Sequence, residues 1–325
     1  MSLARKVLLA MSTNAWLRER ATQTAFVRRS VSTFMPGERL EDAMAAAAAQ
    51  QARRIDTILT KLGENVTSMA EAEAVTLHYL DVLDKVQAAG LNAQISVKPT
   101  QLGLDLDKEF CFKNLLRLIE RADARGNLVW IDMESSPYVD PTLDLFRRAR
   151  AVSPRVGIAL QAYLYRTAAD VESLVPLGAA IRLVKGAYLE PPSVAYPKKA
   201  DVDENFFALA CRLLADDARS AGGLLHIATH DPRLADRLAA FIDAQGVPRS
   251  AYEYAINADA GDSLARVTAS RPFASATSLS LRATATTVRS TYTSLFDGSS
   301  RRASSKSDLA GTNCPAATKS AARRT

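Results

Sequence analysis

Arg182 stands inside an apolar run, Ala179-Ala180-Ile181-Arg182-Leu183-Val184, which passes directly into Lys185-Gly186-Ala187-Tyr188. A guanidinium cannot shed its charge, so burying it is costly unless an anion or a dense set of acceptors meets it. Its partner is either a phosphate or carboxylate ligand or a neighbouring Asp or Glu, and the residue types alone leave the two equal. Lys98 follows Ala93-Gln94-Ile95-Ser96-Val97 and suits a Schiff-base nucleophile or a cation that receives an anionic ligand. Asp132 and Glu134 follow Leu128-Val129-Trp130-Ile131, two apart, so a continuing strand would point both the same way. Such a pair serves acid–base chemistry or a metal, or supplies counter-charges to Arg182 and Lys98. Gln161, after Val156-Gly157-Ile158-Ala159-Leu160, offers an amide suited to a ring with donors and acceptors. Thr229 and His230 follow Leu224-Leu225-His226-Ile227-Ala228, where His230 is placed to hydrogen-bond a ligand and His226 to stay in the core. His226 and His230 are four apart on a strand rather than a helix and lack a third ligand, so no metal is expected.

The same layout, an apolar run with polar groups at its C-terminal end, thus occurs five times. This is the pattern of a (βα)8 barrel, whose site lies at the C-terminal face of the strands. In chain order, Glu38 to Gln51 reads as an Ala-rich helix and residues 55–62 as a first strand. A helix over 71–89 ends at Gly90, and strands and helices then alternate. Strands are predicted over 93–97, 128–133, 156–162, 181–187, 224–229 and 252–255. Helices are predicted over 108–124, 141–150, 167–176, 204–220 and 232–244. That makes seven βα steps and leaves an eighth strand owed. From Ile256 onward about a third of the residues are Ser or Thr, mixed with Ala and Arg and without helical or strand period. The expectation is a disordered tail that does not supply the last strand. The divisions are therefore N-terminal helices over 1–54, a barrel over 55–255 and a low-complexity basic tail over 256–325.

The net charge of +6 arises wholly in that tail, where ten Lys and Arg face four Asp. Three cysteines show no pairing pattern, which favours a reducing compartment. No apolar run approaches the roughly 20 residues of a membrane span. Residues 1–37 carry Arg5, Lys6, Arg18, Arg20, Arg28 and Arg29 against the single acid Glu19. This composition fits an organellar transit peptide or amphipathic helices that pack on the barrel, and the helices are the favoured expectation. Peripheral contact of basic helices with anionic lipid stays open. The chain is expected in the cytoplasm, with peripheral contact at the inner membrane, or in mitochondria if the N-terminus is a transit peptide.

With these residues in place, the chain resembles the proline dehydrogenase family in its monofunctional bacterial form, over roughly residues 1–255. The resemblance rests on Ile95-Ser96-Val97-Lys98, Ile131-Asp132-Met133-Glu134, Leu160-Gln161-Ala162-Tyr163 and Ala228-Thr229-His230. Its most specific part is Arg182-Leu183-Val184-Lys185-Gly186-Ala187-Tyr188; Phe34-Met35-Pro36-Gly37-Glu38 and Leu62-Gly63-Glu64-Asn65-Val66 resemble N-terminal signatures. It implies a distorted (βα)8 barrel that binds FAD, oxidises L-proline to 1-pyrroline-5-carboxylate and passes electrons to a quinone. It also implies roles: Arg182 near the redox end of the flavin, Gln161 at the isoalloxazine, and Lys185, Gly186, Ala187, Thr229 and His230 along the rest of the cofactor. Lys98 would face the proline carboxylate, Asp132 would order the site, and Tyr188 would pack by the substrate.

The chain departs from the family at its C-terminal end. The family closes with an eighth strand and a helix carrying an Arg pair that clamps the carboxylate, in a motif like Tyr-Leu-Met-Arg-Arg-Leu-Ala-Glu-Arg-Pro-Ala-Asn. Arg301-Arg302 lie instead in a Ser-rich context. Codon degeneracy allows Ser299 to Lys306, decoded one nucleotide later, to read Arg-Leu-Ala-Glu-Arg-Pro-Ala-Asn. A frameshift near residue 255 would explain both the lost motif and the basic composition. The expectation is weakened FAD binding and low proline turnover. Two other readings remain: a barrel lyase using Lys98 as a Schiff base, and a non-enzymatic protein that binds through its basic tail. No specific nucleic-acid partner is expected, because the tail lacks interleaved aromatics.

Overall fold

The computed structural model describes residues 39–257 and the strand 281–284. The segment before residue 39 and Arg301-Arg302 lie outside the described residues, as does most of the tail. Helix α1 (Leu40–Gln51) leads to β1 (Ile55–Thr60), α2 (Met69–Ala88), β2 (Ala93–Val97), α3 (Lys108–Asp123) and β3 (Val129–Ile131). Then come α4 (Val139–Val152), β4 (Val156–Gln161), α5 (Thr167–Leu174), β5 (Ala180–Val184), α6 (Lys199–Leu213) and α7 (Asp216–Ser220). Finally β6 (Leu224–Ala228), α8 (Pro232–Ala244), β7 (Tyr252–Asn257) and β8 (Leu281–Thr284) complete the series. The strands pair in sequence order, all parallel, into a closed barrel.

Closure corrects one expectation. The segment read as unable to give an eighth strand contributes Leu281–Thr284, which pairs in parallel with Ile55–Ile58 of β1 and Tyr254–Asn257 of β7. Two waiting edges offer backbone partners on both sides, and that tertiary demand overrides a weak local pattern. The helix expected over 204–220 is also two elements. The chain leaves helical geometry at Ala215 (φ −66°, ψ 157°), which caps the short α7.

Helix starts follow local chemistry. Ser68 caps α2 by accepting from the Glu71 N–H at 3.2 Å, and Glu71 accepts from the Thr67 N–H at 2.7 Å. Asp107 caps α3 through the Phe110 N–H at 2.7 Å. Asp231 caps α8, with Pro232 at its first position. The main core lies between the strands and the helical ring, with Tyr79, Leu83, Leu115, Leu118, Phe146 and Phe206 buried against Ile95, Ile131, Ile158 and Ile227. Inside the barrel the fill is unusual for its polarity. The Trp130 ring lies 4.3 Å from the His226 ring, its Nε1 donates to Gln94 Oε1 at 2.7 Å, and His226 Nε2 is 3.0 Å from Glu253 Oε2. Gly157 makes room for that indole: a Cβ there would meet Trp130 at 2.6 Å. Among the described residues, no helix is long and apolar enough to cross a membrane.

Candidate active site

A cavity of about 660 Å³ opens at the C-terminal ends of the strands. Its wall includes Asp132, Gln161, Arg182, Lys185, Gly186, Ala187, Tyr188, Thr229 and His230, nine of the ten residues singled out from sequence. The tenth, Lys98, is not part of that wall. Its ammonium lies 3.8 Å from Glu64 Oε1, and the same carboxylate oxygen accepts from the Tyr188 hydroxyl at 2.7 Å.

Arg182 is 4% exposed and enters the cavity from the middle of β5. The answer to its charge is a neighbouring carboxylate: Nη2 is paired with Asp132 Oδ1 and donates to Ser96 Oγ at 2.8 Å. Ser96 Oγ in turn donates to Asp132 Oδ1 at 2.8 Å, closing a triangle across β2, β3 and β5. The guanidinium carbon lies 5.3 Å from the centre of the Trp130 ring, so the indole face backs the cation. Ser96 escaped notice in the sequence. Its signal is parity: in β2 it shares a face with the inward Gln94.

Two buried polar atoms on the wall have no partner among the described residues: Arg182 Nη1 and Gln161 Oε1. Gln161 is held from behind, its Nε2 donating to the Met133 carbonyl at 3.3 Å. Buried groups of this kind ordinarily find partners, so a donor and an acceptor left open on one cavity wall point to a ligand with complementary groups.

The other side of the mouth is a four-charge network. Lys185 Nζ pairs with Asp203 and reaches Asp231 Oδ2 at 3.1 Å, while Lys199 Nζ pairs with Asp203 and reaches the same Asp231 oxygen at 2.6 Å. The hydrogen bond from Lys199, reinforced by Lys185, holds the Asp231 carboxyl far below the usual range. Burial would raise Asp203, yet its bonds to Lys185 and Lys199 keep it low. Lys199 and Asp203 were missed in the sequence because α6 starts at Lys199 rather than at residue 204, and Asp231, the cap of α8, because its partners lie on another element.

Gly186 has φ +122°, and a Cβ there would fall 2.3 Å from Cδ1 of Tyr163. Glycine is thus required twice, by backbone conformation and by the ring beneath it. The Tyr188 phenol is pushed far up by burial and by its bond to Glu64, and stays a donor at neutral pH.

Of the two expectations for Asp132 and Glu134, the structure has Asp132 as the counter-charge of Arg182 rather than one half of a carboxylate pair. β3 ends at Ile131, so alternation stops there. Asp132 turns to Arg182, whereas Glu134, 2% exposed, turns away from the cavity wall. It accepts from the Thr100 N–H at 3.1 Å and from Thr100 Oγ1 at 2.5 Å. Burial raises its carboxyl despite those bonds.

A closed parallel barrel with a cavity at its C-terminal mouth into which charged and polar side chains converge defines the class: a barrel enzyme with its site where such barrels carry chemistry. Comparison with known proteins specifies it further. The proline dehydrogenase family model matches residues 43–280. A proline dehydrogenase of Deinococcus radiodurans is 34% identical over 257 residues, spanning 78% of this chain and 81% of that protein. Proline dehydrogenase 2 of Bacillus subtilis is 35% identical over 193 residues, 59% of this chain and 62% of that one. The chain belongs to the proline dehydrogenase family. Proline utilization A from Bdellovibrio bacteriovorus, inactivated by N-propargylglycine, shares the fold with a TM-score of 0.70 at 21% identity, over 81% of this chain and 31% of that one. The Corynebacterium freiburgense counterpart gives 0.68 at 20% identity, over 83% and 30%. This chain therefore matches about a third of those longer proteins.

Proposed function

We propose that this chain is a FAD-dependent proline dehydrogenase that oxidises L-proline to 1-pyrroline-5-carboxylate and delivers the electrons to a quinone. The observation that carries the reading is the buried Arg182, charge-paired on one side by Asp132 and with Nη1 unpartnered on the cavity wall. FAD, when bound, supplies the two-electron acceptor, and proline gives up two electrons and two protons as its ring nitrogen becomes an imine.

The donor set fits that cofactor. Gln161 offers an open carbonyl oxygen to a ring N–H, and Arg182 offers an open N–H to a ring oxygen. A cation fixed at this point favours negative charge on the ring system, and its triangle with Asp132 and Ser96 means it needs no reorganisation to do so. Lys185 and Lys199 would face phosphate oxygens, while Thr229 and His230 add hydrogen-bonding groups along the same wall. A cavity of about 660 Å³ is in the size range of cofactor sites. Tyr188 keeps its proton and closes the substrate end with Glu64 and Lys98. Placing Lys98 beside a carboxylate and outside the described cavity wall speaks against the lyase reading, which needs an accessible uncharged amine there. The quinone acceptor rests on the family resemblance.

The test is the visible spectrum of the purified chain before and after anaerobic addition of excess L-proline. With FAD supplied in excess, a flavin spectrum that bleaches slowly is expected, in keeping with the low turnover that the altered C-terminal end implies. No bound flavin after loading with FAD, or a spectrum unchanged by saturating proline, would overturn the proposal.

A further inference from the structure

The segment between β1 and α2, residues 61–68, has almost no regular structure, yet side chains of the adjacent β2 loop bracket it. Gln101 Nε2 donates to the Lys61 carbonyl at 3.1 Å and to the Gly63 carbonyl at 2.6 Å. The Asn65 N–H donates to Thr100 Oγ1 at 3.2 Å. Glu64 lies between these anchors and is the residue that meets both Tyr188 and Lys98.

Thr100 is fully buried and carries one hydroxyl proton, and that proton goes to Glu134 at 2.5 Å. The oxygen's lone pairs are then the part presented to the Asn65 N–H. Glu134, left over when Asp132 joined Arg182, thus has a use of its own. It sets the direction of a hydroxyl that in turn fixes the backbone beside Glu64. The chain of contacts runs from Glu134 to Thr100, to Asn65, to Glu64, and ends at Tyr188 on the cavity wall.

We propose that Thr100, oriented by Glu134, is a positioning residue that holds Glu64 against Tyr188 and Lys98, and so governs retention of the substrate rather than the rate of its oxidation. This rests on the proposed proline oxidation. It predicts a split between KM and kcat that a merely structural residue would not give.

The test uses the full chain loaded with FAD and two substitutions. Thr100→Val keeps the shape but removes both hydrogen bonds of the hydroxyl, whereas Thr100→Ser keeps them. Thr100→Val is expected to raise KM for proline about tenfold with kcat within about twofold, as loss of one buried hydrogen bond would. Amide exchange over residues 61–66 should accelerate about tenfold on the same basis, with the barrel strands unchanged. Thr100→Ser should stay near the parent in both readouts. Unchanged KM and exchange in Thr100→Val, a fall in kcat at constant KM, or equal damage in Thr100→Ser would each overturn the proposal. Should Thr100→Val be insoluble, Glu134→Gln replaces it and must shift KM and local exchange in the same direction; no shift overturns the idea. If the parent chain fails to oxidise proline, the proposed function falls. The exchange readout then decides the brace alone: local acceleration upholds it, and none refutes it.

Discussion

The Arg182–Asp132 contact allows a quantitative test, because one partner is almost fully buried. Side-chain exposure is 5% for Arg182 and 21% for Asp132. In Asp132→Ala, the guanidinium keeps only Ser96 Oγ and the Trp130 face, and Ser96 loses its own acceptor. Stranding a buried charge costs about 3–5 kcal/mol, and the partial exposure of the carboxylate places this case near ~3 kcal/mol. Asp132→Asn keeps an oxygen for both donors and loses only the charge. The difference between charged and neutral hydrogen bonds then sets the loss at about 1 kcal/mol. For a chain of this size, about 2 °C of Tm is expected per kcal/mol, so the two variants should fall by ~6 °C and ~2 °C. Thermal melts of the apoprotein at one scan rate and low salt would measure both. The decisive comparison is Asp132→Ala with Arg182→Met in the same chain. Removing the stranded cation should restore at least about 1 kcal/mol relative to Asp132→Ala alone. Equal losses in Asp132→Ala and Asp132→Asn, or a double variant as unstable as the sum of its parts, would refute the idea that Asp132 exists to neutralise Arg182.

Gly186→Ala should lose flavin binding at least about tenfold, since its Cβ would collide with the Tyr163 ring and the backbone there is strained for any other residue; flavin fluorescence titration against the parent would reveal it, and unchanged affinity would be the contrary result. The Lys185–Lys199–Asp203–Asp231 network should fail in acid. Because both carboxyls titrate lower in the folded chain than in the unfolded one, their contribution is full above the ordinary Asp value of 3.8 and is lost as pH falls below it. Melts of the parent and of Lys199→Met should therefore run parallel from neutral pH to about pH 4 and begin to approach one another between there and pH 3; curves that stay parallel to pH 3 would contradict this. Glu134 works in the opposite sense. Its raised carboxyl makes the folded chain lose stability as pH rises from the ordinary Glu value of 4.5 to its folded value, and Glu134→Gln should flatten that part of the profile. At the C-terminal end, the gene's nucleotide sequence should encode Arg-Leu-Ala-Glu-Arg-Pro-Ala-Asn one nucleotide out of frame across codons 299–306; another sequence there rules out the frameshift.

The chemistry at strand ends was legible because a buried strand tolerates polar residues only where they meet something. Arg182, Gln161 and Lys185 stood out against apolar runs, and seven of the nine wall residues named in advance come from the ends of β3 to β6 or the one to three residues that follow; Arg182 lies in the middle of β5 and Tyr188 is four past it. What escaped was of two kinds. Ser96, Asp203 and Asp231 are ordinary residue types whose importance comes only from neighbours distant in sequence, such as Ser96 with Arg182, 86 positions away. The eighth strand was invisible for a different reason. Leu281–Thr284 owes its strand to the edges of β1 and β7, and no window of its own sequence records that those edges are free. Asp132 and Glu134 part company because the alternation rule was carried three residues past the end of a three-residue strand.

The distribution of compensated and open charge around the cavity has its own logic. Lys185 and Lys199 are matched one for one by Asp203 and Asp231, so an anion arriving there competes with carboxylates already in place. Such competition would favour a ligand with more than one negative charge, since only that ligand could replace two acceptors at once. Arg182 is treated differently. Its carboxylate and hydroxyl both converge on Nη2, which leaves Nη1 buried and open. The pairing makes it affordable to keep the cation in the core, and the geometry of that pairing, all on one nitrogen, keeps the other available. A Lys at this position could satisfy Asp132 but has no second nitrogen to present. What Arg offers in the middle of β5 is therefore the separation of its two terminal nitrogens, one spent on the fold and the other left open on the cavity wall.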